Sequence, residues 1–343
     1  MIDSLDKLKQ FVDLSPDEER AVEAASVYFP WRSTDYYASL IDKEDRNCPI
    51  RLQVVPTLVE TEGAFGTDDP LDEDLSSPVP GVIRVYPDRI AVVLTSRCPV
   101  YCRHCLRKRN AGDVAHDLDE AGFERVLSYI KNDPSIRDVL LTGGDPLMLS
   151  DARLESILSS LRAIEHVEIL RIGTRALCTW PERITDDCAE MLSAFHPLWV
   201  NTQFNHPKEL TDEAATAVDR LVSRGIPVSN QSVLLKGIND SVEIMTELVR
   251  KLVKIRVRPY YLYQAQTLSG TGHFVTTIEE GLAIIKGLRG FTTGFAVPQY
   301  ILDTPYGKIP LNPEYIKGRS GDYVELESFN GKIWREKNPY DQK

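Results

Sequence analysis

Cys98, Cys102 and Cys105 stand in the pattern C-x3-C-x2-C, directly after an apolar run that reads as a strand. The thiolate is the ligand form of cysteine, and three thiolates on one short loop can hold three irons of a four-iron cluster. The fourth iron then lacks a protein ligand and is open to a substrate or cofactor, whereas an electron-transfer cluster normally takes four cysteines. The alternative is a zinc site with His104 or a distant residue as fourth ligand. A zinc ribbon usually needs a second closely spaced pair, and Cys48, Cys178 and Cys188 form none.

The elements that must position this loop repeat. Apolar, β-branched runs predict strands over Ile90–Thr95, Asp138–Thr142, Val167–Ile172, Leu198–Phe204, Val228–Leu234 and Pro259–Tyr263. Amphipathic segments predict helices over Leu118–Lys131, Asp151–Ile164, Ile184–Phe195, Asp212–Ser223, Ser241–Ile255 and Glu279–Leu288. Strand then helix, six times over, means an α/β fold with a parallel sheet and crossover helices. Right-handed crossovers curl such a series, and six units predict a partial (β/α)6 barrel with an open side. Sites on such sheets lie at the C-terminal strand ends, where the cysteine loop falls. The second strand ends there in Gly143-Gly144-Asp145-Pro146. Its two glycines are expected to let the backbone approach a ligand, with Asp145 accepting from an amino group.

Residues 1–88 read as an N-terminal helical and wrapping region, with Ser15 or Asp17 capping the second helix. Its acidic stretch, Asp68-Asp69-Pro70-Leu71-Asp72-Glu73-Asp74, is expected to be a solvated face. Residues 89–300 form the barrel core and 301–343 a C-terminal closing segment without helical pattern. The 343 residues carry a net charge of -11, which argues against nucleic acid and against an anionic membrane surface as partners. No apolar run approaches the ~20 residues of a membrane span, and the charged start is unlike a signal peptide. Six cysteines, three of them clustered, fit the reducing cytoplasm better than a disulfide framework.

Taken together, the cysteine loop and Gly-Gly-Asp-Pro resemble the radical S-adenosylmethionine (SAM) enzymes. The flanking residues resemble the lysine 2,3-aminomutase family within them. They include Tyr101-Cys102-Arg103-His104-Cys105 with Arg107-Lys108-Arg109, Ser77-Pro78-Val79-Pro80-Gly81, Tyr86-Pro87-Asp88-Arg89, Arg171-Ile172-Gly173-Thr174-Arg175 and Arg258-Pro259-Tyr260-Tyr261-Leu262-Tyr263. The resemblance runs from about residue 5 to residue 325.

It implies a radical SAM barrel in which Cys98, Cys102 and Cys105 hold a [4Fe-4S] cluster whose open iron chelates SAM. Gly143, Gly144 and Asp145 would seat the amino end of SAM, with Arg175, Gln203 and Asn230 for the rest; the family often has His where Gln203 stands. It implies pyridoxal phosphate (PLP) carried by Lys308, with Arg89 and Tyr263 against the cofactor. A lysine that bonds a carbonyl must reach its neutral form, which burial in a cofactor pocket encourages. The family run of four glycines before this lysine is reduced to Tyr306-Gly307, so the stretch from Asp303 to Lys308 is two residues shorter. Val85 stands where a second PLP arginine usually lies, with Arg84 displaced by one position.

The implied reaction moves the α-amino group of an L-amino acid to the β-carbon through a 5′-deoxyadenosyl radical. Arg107 matches the arginine that clamps the substrate α-carboxylate. Lysine-specific members hold the distal ammonium with two aspartates; one matches Asp303, and Gln266 replaces the other. L-lysine is the leading expectation, with arginine, ornithine, glutamate or a lysine of a translation elongation factor as alternatives. The resemblance also implies an electron donor such as flavodoxin or ferredoxin, and a homodimer or homotetramer. A non-catalytic metal-binding protein is the competing class.

Overall fold

Short β-branched runs such as Arg-Ile-Ala-Val-Val-Leu-Thr leave one side chain in two on each face of a sheet. In the computed structural model, which describes residues 1–61, 66–321 and 323–337, they build one nine-stranded sheet in sequential order. The strands are β1 (Val82–Ile83), β2 (Arg89–Thr95), β3 (Asp138–Gly143), β4 (Ile169–Gly173), β5 (Leu198–Thr202), β6 (Val228–Leu234), β7 (Arg258–Gln264), β8 (Gln299–Thr304) and β9 (Gly307–Pro310). Strands β2 to β8 run parallel, and β1 and β9 close the two edges antiparallel. A separate antiparallel sheet follows, of β10 (Ile316–Ser320), β11 (Tyr323–Glu327) and β12 (Ile333–Lys337).

Ahead of the sheet lie α1 (Leu5–Leu8), α2 (Pro16–Tyr28), α3 (Asp35–Ser39) and α4 (Pro49–Val54). Ser15 caps α2 in a reciprocal box with Glu18, deciding between the two expected caps. The crossovers are α5 (Glu120–Lys131), α6 (Asp151–Arg162), the short α7 (Ala176–Thr179) before α8 (Asp186–Ser193), α9 (Asp212–Val222), α10 (Val242–Lys254) and α11 (Ile278–Leu288). Asp119, Ser150, Thr185, Thr211, Ser241 and Thr277 each cap one of the six long crossover helices, accepting from the backbone N–H three residues on. Each cap contributes about 1 kcal/mol and fixes where its loop ends.

All six predicted strand–helix units are present. The seventh parallel strand, β8, was not among them: its apolar part is only Tyr300-Ile301-Leu302, close to Pro298 and Pro305. Pairing with β7 makes it a strand. The period of two sorts the sheet's faces. Val92, Leu94, Val139, Leu141, Leu170 and Ile172 join the apolar helix faces in one core, while Ala91, Leu140, Thr142, Arg171 and Gly173 line an interior cavity.

Candidate active site

The cysteine loop leaves the C-terminal end of β2, and its root is tied down at four points. Asp117 accepts from Thr95 Oγ1, Ser96 N and Arg97 Nε at 2.7–2.9 Å. The N-terminal region supplies two backbone acceptors, Arg32 O for Tyr101 N and Gln53 O for Arg103 N. The fourth is an ion cluster: Arg103 donates to both oxygens of Glu60, Lys108 Nζ lies 2.6 Å from Glu60 Oε2, and all three side chains are buried. Burial pushes the Lys108 ammonium down to about 8 despite Glu60 beside it. Lys108, part of a basic run, thus lies inside the protein.

Cys98, Cys102 and Cys105 are free thiols that all face the cavity. Burial raises the Cys98 thiol well above its ordinary range and Cys105 to about 11, which favours the neutral thiols until a metal displaces their protons. Among the described residues, no three His, Cys, Asp or Glu donors converge on a single ion, as zinc requires. A four-iron cluster gives each thiolate its own iron, and three soft donors on one loop fit it.

Gly143 and Gly144 have a structural part to play beside the one expected of them. A Cβ on Gly143, at φ +137°, would come 2.3 Å from Thr95 O, and one on Gly144 would come 2.3 Å from Arg97 O. The glycines let the end of β3 lock against the root of the cysteine loop, with Gly144 N donating to Thr95 O and Asp145 N to Arg97 O. Asp145 is likewise occupied: its carboxylate accepts from Leu147 N, Thr174 Oγ1 and Arg175 N, which staples β3 to β4. Burial raises its carboxyl above the usual range, and these donors work against that shift.

Arg175 sits behind the loop. Its Nη1 lies 2.7 Å from Cys102 Sγ, and its Nη2 contacts Tyr37, Gln53 and Glu209. Gln203 Nε2 and Asn205 Nδ2 face His104 Nε2 at 3.1 and 3.3 Å. That nitrogen is therefore the acceptor, and the proton is on Nδ1, which is buried in the wall of the cavity with no partner among the described residues. Burial holds the imidazole well below its ordinary pKa, with Arg175 and Lys108 adding to it. Asn230 does not reach the cavity: its amide bridges Phe204 N, Phe204 O and Ser232, pinning β6 to the end of β5.

At the edge of the sheet, β8 and β9 form a hairpin with only Pro305 and Tyr306 between its last pairs. This tight turn makes Asp303 the cross-strand partner of Lys308, with Nζ 3.1 Å from Oδ2. Lys308 N donates to Tyr86 Oη at 2.7 Å, and Gly307, at φ +105°, leaves room for that phenol. The ammonium lies 5.9 and 5.8 Å from the rings of Tyr86 and Tyr263. Tyr261 packs edge-on against Tyr263 and accepts from Tyr260. Arg89 stacks over Tyr86 at 3.7 Å, at the start of β2 and about 20 Å along the strand from the cysteine loop. Arg84 points elsewhere, to Tyr129, Asp133, Ser135 and Pro87 O, and takes no place in the cavity. Gln266 Nε2 donates to Asp303 O, and its own carbonyl oxygen accepts from no donor among the described residues.

Arg89, Cys98, Cys102, Cys105, Arg107, Gly143, Gly144, Asp145, Arg175, Gln203, Tyr263, Gln266, Asp303 and Lys308 all line one cavity of about 850 Å³. That is large for a single small ligand and has room for two cofactors side by side. Sequence reasoning gave no role to Tyr86, Glu60 or Glu73, and placed His104 only as an alternative zinc ligand. Tyr86 and His104 stood inside quoted motifs, and Glu60 gave no readable signal. Glu73 did: Arg107 Nε and Nη2 grip its carboxylate at 2.9 and 2.7 Å, and Arg109 pairs with Asp69 and Asp74. Glu73 and Asp69 of the acidic stretch are thus docked on the basic run, while Asp68, Asp72 and Asp74 stay exposed as expected.

The radical SAM superfamily model matches residues 92–249, and a lysine-2,3-aminomutase model matches 285–343. The chain is 46% identical over 335 residues to the L-lysine 2,3-aminomutase of Clostridium subterminale, covering 97% of this chain and 80% of that protein. It is 46% identical over 333 residues to the Bacillus subtilis L-lysine 2,3-aminomutase, covering 96% and 71%. The glutamate 2,3-aminomutase of Clostridioides difficile is 43% identical over 334 residues, covering 97% and 79%.

Proposed function

Since the chain belongs to the lysine 2,3-aminomutase family of radical SAM enzymes, isomerases that use a [4Fe-4S] cluster and SAM, we propose that it moves the α-amino group of free L-lysine to the β-carbon with PLP carried by Lys308. The observation that carries this reading is that one cavity is lined by the three thiols and by Lys308 with Tyr86, Tyr260, Tyr261 and Tyr263. When bound, the cluster with SAM supplies a hydrogen-abstracting radical, and PLP supplies the conjugated ring on which the nitrogen shifts.

The chain's own residues bind, orient and exclude water. Cys98, Cys102 and Cys105 would hold the cluster. The backbone of Gly143 and Gly144, the Nδ1–H of His104 and the guanidinium of Arg175 are the groups offered to SAM. Tyr86, Tyr261 and Tyr263 would flank PLP, and Arg89 would take its phosphate. Arg107 would hold the substrate α-carboxylate. Asp303 neutralises Lys308 while that amine is free. The same carboxylate would also accept from a cationic substrate tail, with the Gln266 carbonyl oxygen as second acceptor. One carboxylate and one amide oxygen suit an ammonium or guanidinium and repel a carboxylate tail, which favours lysine over glutamate.

Reducing the cluster calls for a small donor such as ferredoxin or flavodoxin, in the cytoplasm. Ile333 and Trp334, exposed on β12, support assembly into a homodimer or homotetramer. Among the described residues no helix is long and apolar enough to cross a membrane. The test is an anaerobic assay of the reconstituted protein with SAM, PLP and dithionite on a panel of L-amino acids, read by mass spectrometry. A β-amino product from lysine is expected. Cleavage of SAM with no free amino acid rearranged would discard this reading and move the substrate to a protein side chain, such as a lysine of an elongation factor.

A further inference from the structure

Glu73 belongs to no expected role, yet it is the residue that touches Arg107. An arginine has five N–H donors in two forks: a side fork of Nε with Nη2, and an end fork of Nη1 with Nη2. Glu73 fills the side fork, Nε to Oε2 at 2.9 Å and Nη2 to Oε1 at 2.7 Å, and is itself nearly buried. The Nη1 hydrogens and the second Nη2 hydrogen have no protein partner among the described residues, and Arg107 and Glu73 both line the cavity.

The segment that brings Glu73 is itself anchored at both ends of the mouth. Asp69 accepts from Asp74 N, and Arg109 Nη2 lies 3.0 Å from both Asp69 and Asp74. Thr67 pairs with the loop that follows Gln266, through Thr267 O and Ser269 N. The carboxylate is therefore presented from a fixed backbone. A guanidinium on five bonds swings freely unless one edge is held, and a bidentate carboxylate holds an edge in a single plane.

We propose that Glu73 is the positioning residue for substrate recognition: it grips the side fork of Arg107 and so aims the end fork at the α-carboxylate of the amino acid. This rests on the reading of Arg107 as the carboxylate clamp. The two carboxylates then share one guanidinium, Glu73 on its outer edge and the substrate on its inner edge. The substrate meets a cation of fixed orientation that is already half neutralised, so recognition depends on geometry more than on net charge.

The experiment uses the protein reconstituted with iron, sulfide and PLP, without reductant, and follows the PLP absorption band during titration with L-lysine and with L-lysinamide. The ratio of the two dissociation constants measures how well the carboxylate is recognised. Glu73→Ala is expected to lower that ratio about tenfold, the worth of one charge-assisted hydrogen-bonded contact, with iron content unchanged. Glu73→Gln keeps the shape and one acceptor, and is expected to fall between; it carries the comparison if the alanine variant loses iron. Arg107→Ala is the control and is expected to abolish the preference for lysine over its amide. If Arg107→Ala abolishes the preference and neither Glu73 variant lowers it, Glu73 is merely structural and the proposal is overturned. If Arg107→Ala leaves the preference intact, the carboxylate is held elsewhere and the reading of Arg107 fails first.

Discussion

Lys308 and Asp303 face each other across a two-residue hairpin, with Nζ 3.1 Å from Oδ2. Only Pro305 and Tyr306 separate the last pairs of this hairpin, and the tight turn makes the two residues direct cross-strand partners. Lys308→Ala is expected to abolish retention of PLP on gel filtration and to remove the near-ultraviolet cofactor band, while iron content stays at the parent level. Retained band and retained turnover together would show that PLP is not carried there.

The choice of amino acid is expected to follow the acceptors around Asp303. Asp303→Asn leaves no carboxylate for a distal ammonium and is expected to raise KM for lysine by at least about tenfold, the loss of one charge-assisted contact. Gln266→Asp adds a carboxylate and is expected to lower KM for lysine relative to ornithine and arginine. Steady-state kinetics on the three amino acids checks both, and an unchanged ranking would remove these two residues from the substrate site.

Gly144→Ala tests the lock between β3 and the cysteine loop. Its Cβ would stand 2.3 Å from Arg97 O, which is backbone and yields only if the loop root shifts. An overpacking cost of about 1–3 kcal/mol is expected in denaturant unfolding, together with reduced iron per chain. Full iron loading with loss of SAM binding alone would mean that the glycine serves the ligand and not the loop.

Glu60 is the hub of the buried ion cluster beneath the cysteine loop. Glu60→Gln leaves Arg103 and Lys108 buried without their counter-charge, and an unpaired buried charge costs about 3–5 kcal/mol. The expected outcome is a lowered thermal midpoint and slower iron incorporation, with the Lys108 ammonium driven further down by loss of the carboxylate that supports it. An unchanged midpoint would show that the cluster contributes little to holding the loop.

The sequence by itself determined what depends on local pattern. Period-two β-branched runs and capped amphipathic helices specify six strand–helix units whatever surrounds them, and the spacing of Cys98, Cys102 and Cys105 specifies three thiolates on one loop. Tertiary structure decided what depends on which segments meet. β8 became a strand only by pairing with β7, because three apolar residues carry no period of their own. Asn230 was drawn into a backbone clamp, and Gly143, Gly144 and Asp145 into a lock against the cysteine loop, because neighbouring strand ends compete with a ligand for the same groups. Glu73 met Arg107 across 34 residues of chain, and Tyr86 met Lys308 across 222. Opposite charges and hydrogen-bonding groups can be recognised in a sequence, but their pairing is fixed only when burial leaves each of them a single partner within reach.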